Sequence, residues 1–548
     1  MLATLDWVFI GLYFAVILGV AWWTAARKES THESSTGYFL AGRDVGWFVV
    51  GAALFASNIG SEHLVGLAGT GFGSGVAVGQ FEVLASLILL VLGWLFVPFY
   101  LKSGVFTMPE FLERRYSSGA RWYLAVISIV GYVLTKISVT LYAGGIVYEV
   151  LVGGDFWTGA LIIVLATGVY TVLGGLRAVL YTEMLQAFLL VGGAALVTLI
   201  GLSELGGWGA MREAVGSSFF DMWQPATHPD FPWTGILFGA PILGVWYWCT
   251  DQFIVQRVLS AKGIDHARRG TIFGGFLKIL PLFIFVIPGV VALALSQSGQ
   301  LEVARADHAL PAMIQTLLPA GVRGLVVAGF LAALMSSLAA VFNSCSTLIT
   351  WDIYRKLRPD ASEKQLVAVG KGSTAVLVVF GLAWIPFMQY ISSQLYVYLQ
   401  SVQAYISPPI AAVFLLGVFW RRVNSQGAMA SLMAGFVLGM GRLGLELSKE
   451  SLSGALLWYA DINFLHFAIL LFVICTAILV VVSLLTPAQS DEELAGLTFA
   501  TAEVPQESTT LEVPSELTES DPAWRRTDLW LTMGLIACVI MVWLSFTG

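Results

Sequence analysis

Apolar residues in this chain gather into long runs, with little of the one-sided helical stripe or the strand alternation of a soluble fold. Runs of that length suit helices crossing a ~30 Å hydrocarbon layer. About fourteen spans can be marked, near 5–26, 47–70, 76–102, 121–152, 156–174, 180–203, 233–257, 268–297, 321–352, 366–390, 395–420, 424–447, 459–485 and 526–547. The second breaks the pattern. Its middle holds Ser57, Asn58, Gly60, Ser61, Glu62 and His63. Such polarity in hydrocarbon is expensive unless each group finds a partner, and Gly60 weakens the helix locally. The pattern predicts a helix broken at mid-membrane, its freed carbonyls facing a ligand or ion. A kink with polar packing is the plainer alternative.

Composition agrees with an all-α polytopic membrane protein. The chain is 57% hydrophobic and 11% charged, with a mean hydropathy of +0.81, a balance that excludes the soluble globular classes. Its net charge of −7 comes largely from the acidic stretch 491–521, which holds no base. No basic patch outside short loops suggests nucleic acid. Cys249, Cys345, Cys475 and Cys538 lie in apolar runs, so neither a disulfide nor a metal site is expected. Leu5–Ala26 reads as a retained first helix, since no base precedes it and Asp6 interrupts it.

Lysines and arginines set the orientation. Arg27, Lys28 and Arg43, then Lys102, Arg114, Arg115 and Arg121, then Arg355, Lys356 and Arg358, all follow odd-numbered spans, whereas the opposite side has only Arg212, Arg305, Arg323 and Lys449. Positive loops stay inside, which puts both termini outside the cell. Residues 204–232 then form an external cap over the entrance. The Pro-, Glu-, Ser- and Thr-rich stretch 487–525 reads as a flexible cytoplasmic tether.

Further polar groups recur within spans: Glu82, Lys278, Gln400 and Gln403, the run Trp246-Tyr247-Trp248-Cys249-Thr250-Asp251-Gln252, and Ser336-Ser337. Singly each could be packing glue. Together an acid, a base, amides, the imidazole of His63 and flat aromatics suit a neutral ligand with many hydroxyls, such as a sugar. For sodium the chemistry needs a few hard, mostly neutral oxygens. Main-chain carbonyls near Ala56 and Ile59, with the hydroxyls of Ser336 and Ser337, would supply them if the two spans touch.

These residues resemble the sodium:solute symporter family, and within it the sodium/glucose branch. The resemblance rests on Ala56 through Ser61, Gly66 through Gly71, Trp94 through Pro98, Gly174-Gly175-Leu176, Tyr181-Thr182-Glu183, Trp246 through Gln252, Met335-Ser336-Ser337, Phe342-Asn343-Ser344 and Pro408 through Phe414. It implies a LeuT-like fold with two inverted five-helix repeats, each opening on an unwound helix. The repeats map to 47–203 and 233–420. Around them fall a first helix and cytoplasmic loop (1–46), the external loop (204–232), two peripheral helices (421–485), an acidic linker (486–525) and a last helix (526–548).

The resemblance also implies a sodium site at Ala56, Ile59, Ala333, Ser336 and Ser337, and sugar contacts at Asn58, His63, Glu82, Tyr247, Trp248, Lys278 and Gln400. Tyr247 would be the inner gate; Leu67, Phe81 and Tyr396 would form the outer one. The family often has Asp where Glu183 stands, and hydroxyls where Ala339 and Ala340 stand, so one sodium per sugar is expected. The expected function is symport of sodium with a neutral hexose across the plasma membrane, in contact with lipid. A polyol such as inositol, or a sodium- and sugar-responsive sensor, are the alternatives. No nucleophile paired with a base and no phosphate loop points to an enzyme, and nothing bears on oligomeric state.

Overall fold

The structure is a computed structural model that describes residues 2–26, 44–105, 107–388, 394–501 and 521–548; the side chains of 17, 18, 20–26 and 169–187 are outside the description, Glu183 among them. Among the described residues the regular elements are helices, joined by two isolated bridges, Val45 with Ala261 and Asp221 with Thr547. Among the described residues ten helical stretches are long and apolar enough to cross a membrane, and three shorter apolar helices, Thr4–Val16, Trp47–Asn58 and Phe156–Gly168, accompany them. The expected spans overlap these stretches without reproducing a count of fourteen. Residues 233–257 form a chain of short pieces: Trp233–Phe238, Ala240–Gly244, Val245–Thr250 and Gln252–Leu259. Lipid-facing helices carry bare apolar side chains, Val379, Phe380 and Trp530 among them, as expected where the surrounding solvent is hydrocarbon.

Two helices are interrupted. Trp47–Asn58 stops at Ile59, whose backbone is extended (φ −76°, ψ 98°). Helix resumes as a wide π turn over Glu62–Leu67 and ends at Gly75, whose φ of +71° turns the chain into the next span. The second interruption is Asp251 (φ −79°, ψ 128°), between a π turn at Val245–Thr250 and the helix Gln252–Leu259. The first falls where clustered polar residues predict it, and the second where the family resemblance implies an unwound helix. The first interrupted helix is clamped along its length by glycines. A Cβ on Gly51 would lie 2.7 Å from the Gly270 carbonyl oxygen, and one on Gly71 would lie 2.4 Å from that of Val286. Both of its halves therefore ride on the same partner, residues 264–297.

Two expectations need correction. The expected spans 156–174 and 180–203 are joined by helical backbone and not by a loop, since helix is continuous from Phe156 to Leu205; that is too long for a single crossing of a ~30 Å layer, and a Gly-Gly pair lowers helix propensity without dictating a stop. The flexible tether expected over 487–525 is folded in its first part. Leu494, Leu497 and Thr501 are buried, and Phe499 stacks on Phe419 at 5.0 Å and Phe99 at 5.9 Å. Averaged acidity hid a short apolar motif that finds a partner in the helices above it. Residues 502–520 of that stretch are outside the described residues.

Candidate functional site

Between the two breaks lies a small cavity of about 60 Å³. Asn58 and His63 reach it from either side of the first break, and Tyr247 and Trp248 from the π turn before the second. Glu82 comes from the first turn of Gln80–Val91 and Gln400 from the middle of Leu395–Phe419. Lys278 sits where Ile264–Leu277 ends, shortly before Pro281. All seven residues singled out for the sugar thus line one cavity.

Their charges pair across it. Lys278 forms an ion pair with Glu82, donates to Asn58 Oδ1, and has Nζ 3.3 Å from His63 Nε2. His63 Nε2 is 3.2 Å from Glu82 Oε1, and Lys278 Nζ lies 5.4 Å from the Trp248 ring centroid. Asn58 turns its other end to Tyr247, Nδ2 donating to the phenol oxygen at 2.9 Å. Such pairing is the condition for keeping charges in this medium, because each one left alone would carry a desolvation cost of several kcal/mol.

Two cavity residues were passed over in reading the sequence. Glu62 belongs to the first break and Lys136 lies within the span 121–152, and the sequence pattern gives neither a role. Here they form an ion pair, and Lys136 Nζ also donates to the Tyr247 phenol oxygen at 3.0 Å. An acid and a base both stranded at mid-membrane must find partners; that was the available signal.

Of the expected gate residues, Phe81 and Tyr396 line the cavity and meet edge to face at 5.7 Å. Phe231, from the loop 204–232, lies 6.1 Å from Phe81, and Phe464 lies parallel to it at 6.5 Å. Leu67 is fully buried but is not brought to the cavity wall; its neighbour Gly66 packs on the Tyr396 backbone.

The helices that carry the expected ion ligands meet at the first break. A Cβ on Gly60 would lie 2.7 Å from Ser337 Oγ, so the first break sits directly on the Val322–Thr347 helix. The hydroxyls of Ser336 and Ser337 are buried there without a hydrogen-bond partner. Ala333 lies one turn earlier on that helix, Ala56 in the last turn before the break, and Ile59 in the break itself. Unserved hydroxyls beside an extended stretch of backbone fit a small hard cation that prefers neutral oxygens.

The fold has solved counterparts. A substrate-bound, outward-open sodium-coupled sialic acid symporter superposes with a TM-score of 0.74 at 21% identity, over 89% of this chain and 99% of that one. A nucleobase-cation-symport-1 family transporter in a closed conformation gives 0.52 at 14% identity, over 84% and 97%. The architecture is that of an all-α polytopic membrane protein of the LeuT-like kind. The family model for the sodium:solute symporter family matches residues 38–435. Sodium/glucose cotransporter 4 of Danio rerio is 38% identical over 95% of this chain and 87% of its own length. Sodium/glucose cotransporter 1 of Oryctolagus cuniculus is 39% identical over 92% and 85%, and the sodium/myo-inositol cotransporter of Homo sapiens 38% over 91% and 76%. The chain belongs to the sodium:solute symporter family; it is a transporter and not an enzyme.

Proposed function

We propose that the protein moves a neutral hexose of the glucose or galactose type together with sodium, by alternating access, with one sodium per sugar. The observation that carries this is the cavity itself: Glu82, Lys278, Asn58, His63 and Gln400 converge beside the flat face of Trp248, next to the break that meets Ser337. Donors and acceptors of both kinds can serve ring hydroxyls, and an aromatic face can take the apolar side of a pyranose. The relatives named for glucose support the same substrate class.

The cavity is far below the roughly 300 Å³ at which small-molecule sites begin. A sugar therefore enters by replacing bonds that now join Lys278, Asn58 and Glu82 to one another, and by parting Phe81 from Tyr396. Sodium between the first break and Ser336-Ser337 would hold the two helices together and favour the state with an intact sugar pocket. That is a population shift, and it requires tighter binding of the ion to that state than to the others. Two inverted five-helix repeats, 47–203 and 233–420, would rock about the site. One charge crossing 100 mV supplies ~2.3 kcal/mol, and a tenfold sodium gradient ~1.4 kcal/mol. Their sum permits accumulation of roughly several hundredfold with one sodium.

In the plasma membrane, both termini would face outward. Asp6 binds the Gly321 and Gly324 amides and Arg323, and Arg212 donates to the Gly548 carbonyl. Both chain ends thus touch segments that the charge pattern assigns to the outside, which supports this orientation.

Uptake into proteoliposomes after a sodium jump, with a panel of labelled hexoses and myo-inositol, tests the reading. Hexose accumulation only under an inward sodium gradient is expected. Preferential accumulation of myo-inositol, which the matching inositol cotransporters make the second reading, would replace the hexose. The reversal potential of the coupled current tests stoichiometry, and a slope of two sodium ions per sugar would end the one-ion reading.

A further inference from the structure

The second buried ion pair lies apart from the sugar-facing one in what it holds. Lys136 sits in Val133–Ile137, where the helix over 118–152 widens into a π turn, and Glu62 begins the helical stretch after the first break. Both side chains are 3% exposed. Lys136 Nζ pairs with Glu62 Oε1, donates to the Tyr247 phenol, and lies 4.8 Å from the Tyr247 ring centroid and 5.5 Å from that of Phe253. Glu62 Oε2 accepts from Ser61 Oγ at 3.2 Å, and Ser61 Oγ is 3.1 Å from Thr140 Oγ1. The same Glu62 oxygen would lie 3.1 Å from a Cβ on Gly60, beside the Ser337 hydroxyl. One carboxylate therefore faces the candidate ion site on one side and, through Lys136, the candidate inner gate on the other. Lys278 and Glu82 make no such bond to Tyr247; their contacts run to Asn58, His63 and Trp248.

We infer that Glu62 and Lys136 form a latch that holds Tyr247 against the first helix break and keeps the cytoplasmic side shut while sodium is bound without sugar. The inference rests on the reading of the protein as a sodium–sugar symporter gated by Tyr247. Glu62 and Lys136 act as positioning residues on that gate. With the latch released, the carrier loaded with sodium alone opens inward, and sodium flows without sugar.

The test compares sugar-free labelled-sodium flux, sodium-driven glucose uptake and equilibrium glucose binding for the full chain in proteoliposomes. The variants are Glu62→Gln, Lys136→Gln, Tyr247→Phe and the exchanged pair Glu62→Lys with Lys136→Glu. Loss of one charge-assisted hydrogen bond from the closed state should raise the ratio of sugar-free sodium flux to coupled uptake about tenfold. That rise should exceed the change in glucose half-saturation for Glu62→Gln and Lys136→Gln, and the exchanged pair should bring the ratio back towards the parent value. Tyr247→Phe leaves no charge buried alone, so it reports on the latch even where a single charge variant fails to fold. An unchanged flux ratio in Tyr247→Phe and in every folded charge variant overturns the latch, as does a loss of glucose binding that fully accounts for lost uptake. A parent protein that neither binds nor accumulates any hexose or polyol with sodium overturns the symport reading instead, which separates the two failures.

Discussion

The two helix breaks share a backbone shape and differ in how their polar groups are served. At the second, the protein caps the resuming helix and serves most of the polar atoms, Asp251 Oδ2 and Gln252 Nε2 being left without a partner. Tyr100 donates to the Cys249 carbonyl at 2.7 Å, Asp251 Oδ1 accepts from the Phe253 amide at 3.0 Å and from the Tyr132 phenol, and the Gln252 side chain accepts from the Met108 amide at 2.9 Å. At the first, the resuming helical segment has no side-chain cap, and the facing hydroxyls of Ser336 and Ser337 have no partner. A break closed by its own side chains is a fixed elbow. A break left open beside unserved oxygens suits something that comes and goes, and an ion is such a partner.

The largest blow to this contrast should come from Gly60→Ala. The added methyl would press on the Ser337 hydroxyl, with strain of ~1–3 kcal/mol and loss of ion space. Sodium-driven sugar uptake should fall by roughly a hundredfold, whereas a variant near parent activity would remove the ion from this place. Ser337→Ala deletes one ligand and should raise the sodium half-saturation about tenfold at saturating sugar; an unchanged sodium dependence counts against the site. Asp251→Ala strikes the other break. It should lower stability by ~1–2 kcal/mol through the lost helix cap, seen as an earlier thermal transition in detergent, with the sodium half-saturation hardly moved. A sodium shift as large as that of Ser337→Ala would mean that the two breaks are not different in kind. Tyr100→Phe should have the smallest effect, about 1 kcal/mol of stability, with transport kept.

The first break was legible because its signal is local: six polar or helix-weakening residues within seven positions of an apolar run, Ser57 to His63. The second is expected from the family resemblance alone, since Trp246 through Gln252 opens on three aromatic residues and holds no glycine. Glu82 and Lys278 could be recognised as stranded charges, yet the sequence did not say that they pair. Asn58 and Lys278, hydrogen-bonded in the fold, are 220 residues apart. Glu62 and Lys136 escaped for the same reason. Leu67 is expected at the outer gate on resemblance alone; it is buried like Tyr396 and does not line the cavity. The docked stretch around Phe499 was hidden because composition averages over a segment, whereas packing depends on a few side chains within it.

By itself the sequence determined the solvent this chain lives in, where its helices run and where the first of the two breaks must fall. Those follow from transfer free energies and backbone propensities that each residue carries wherever it sits. The tertiary structure alone decided which buried acid meets which base, that Gly60 rests on Ser337, and that the Tyr247 phenol is held by Asn58 and Lys136. Ion pairing and hydrogen bonding act over a few ångströms between segments far apart in the chain, so only the packed helices bring such groups within range.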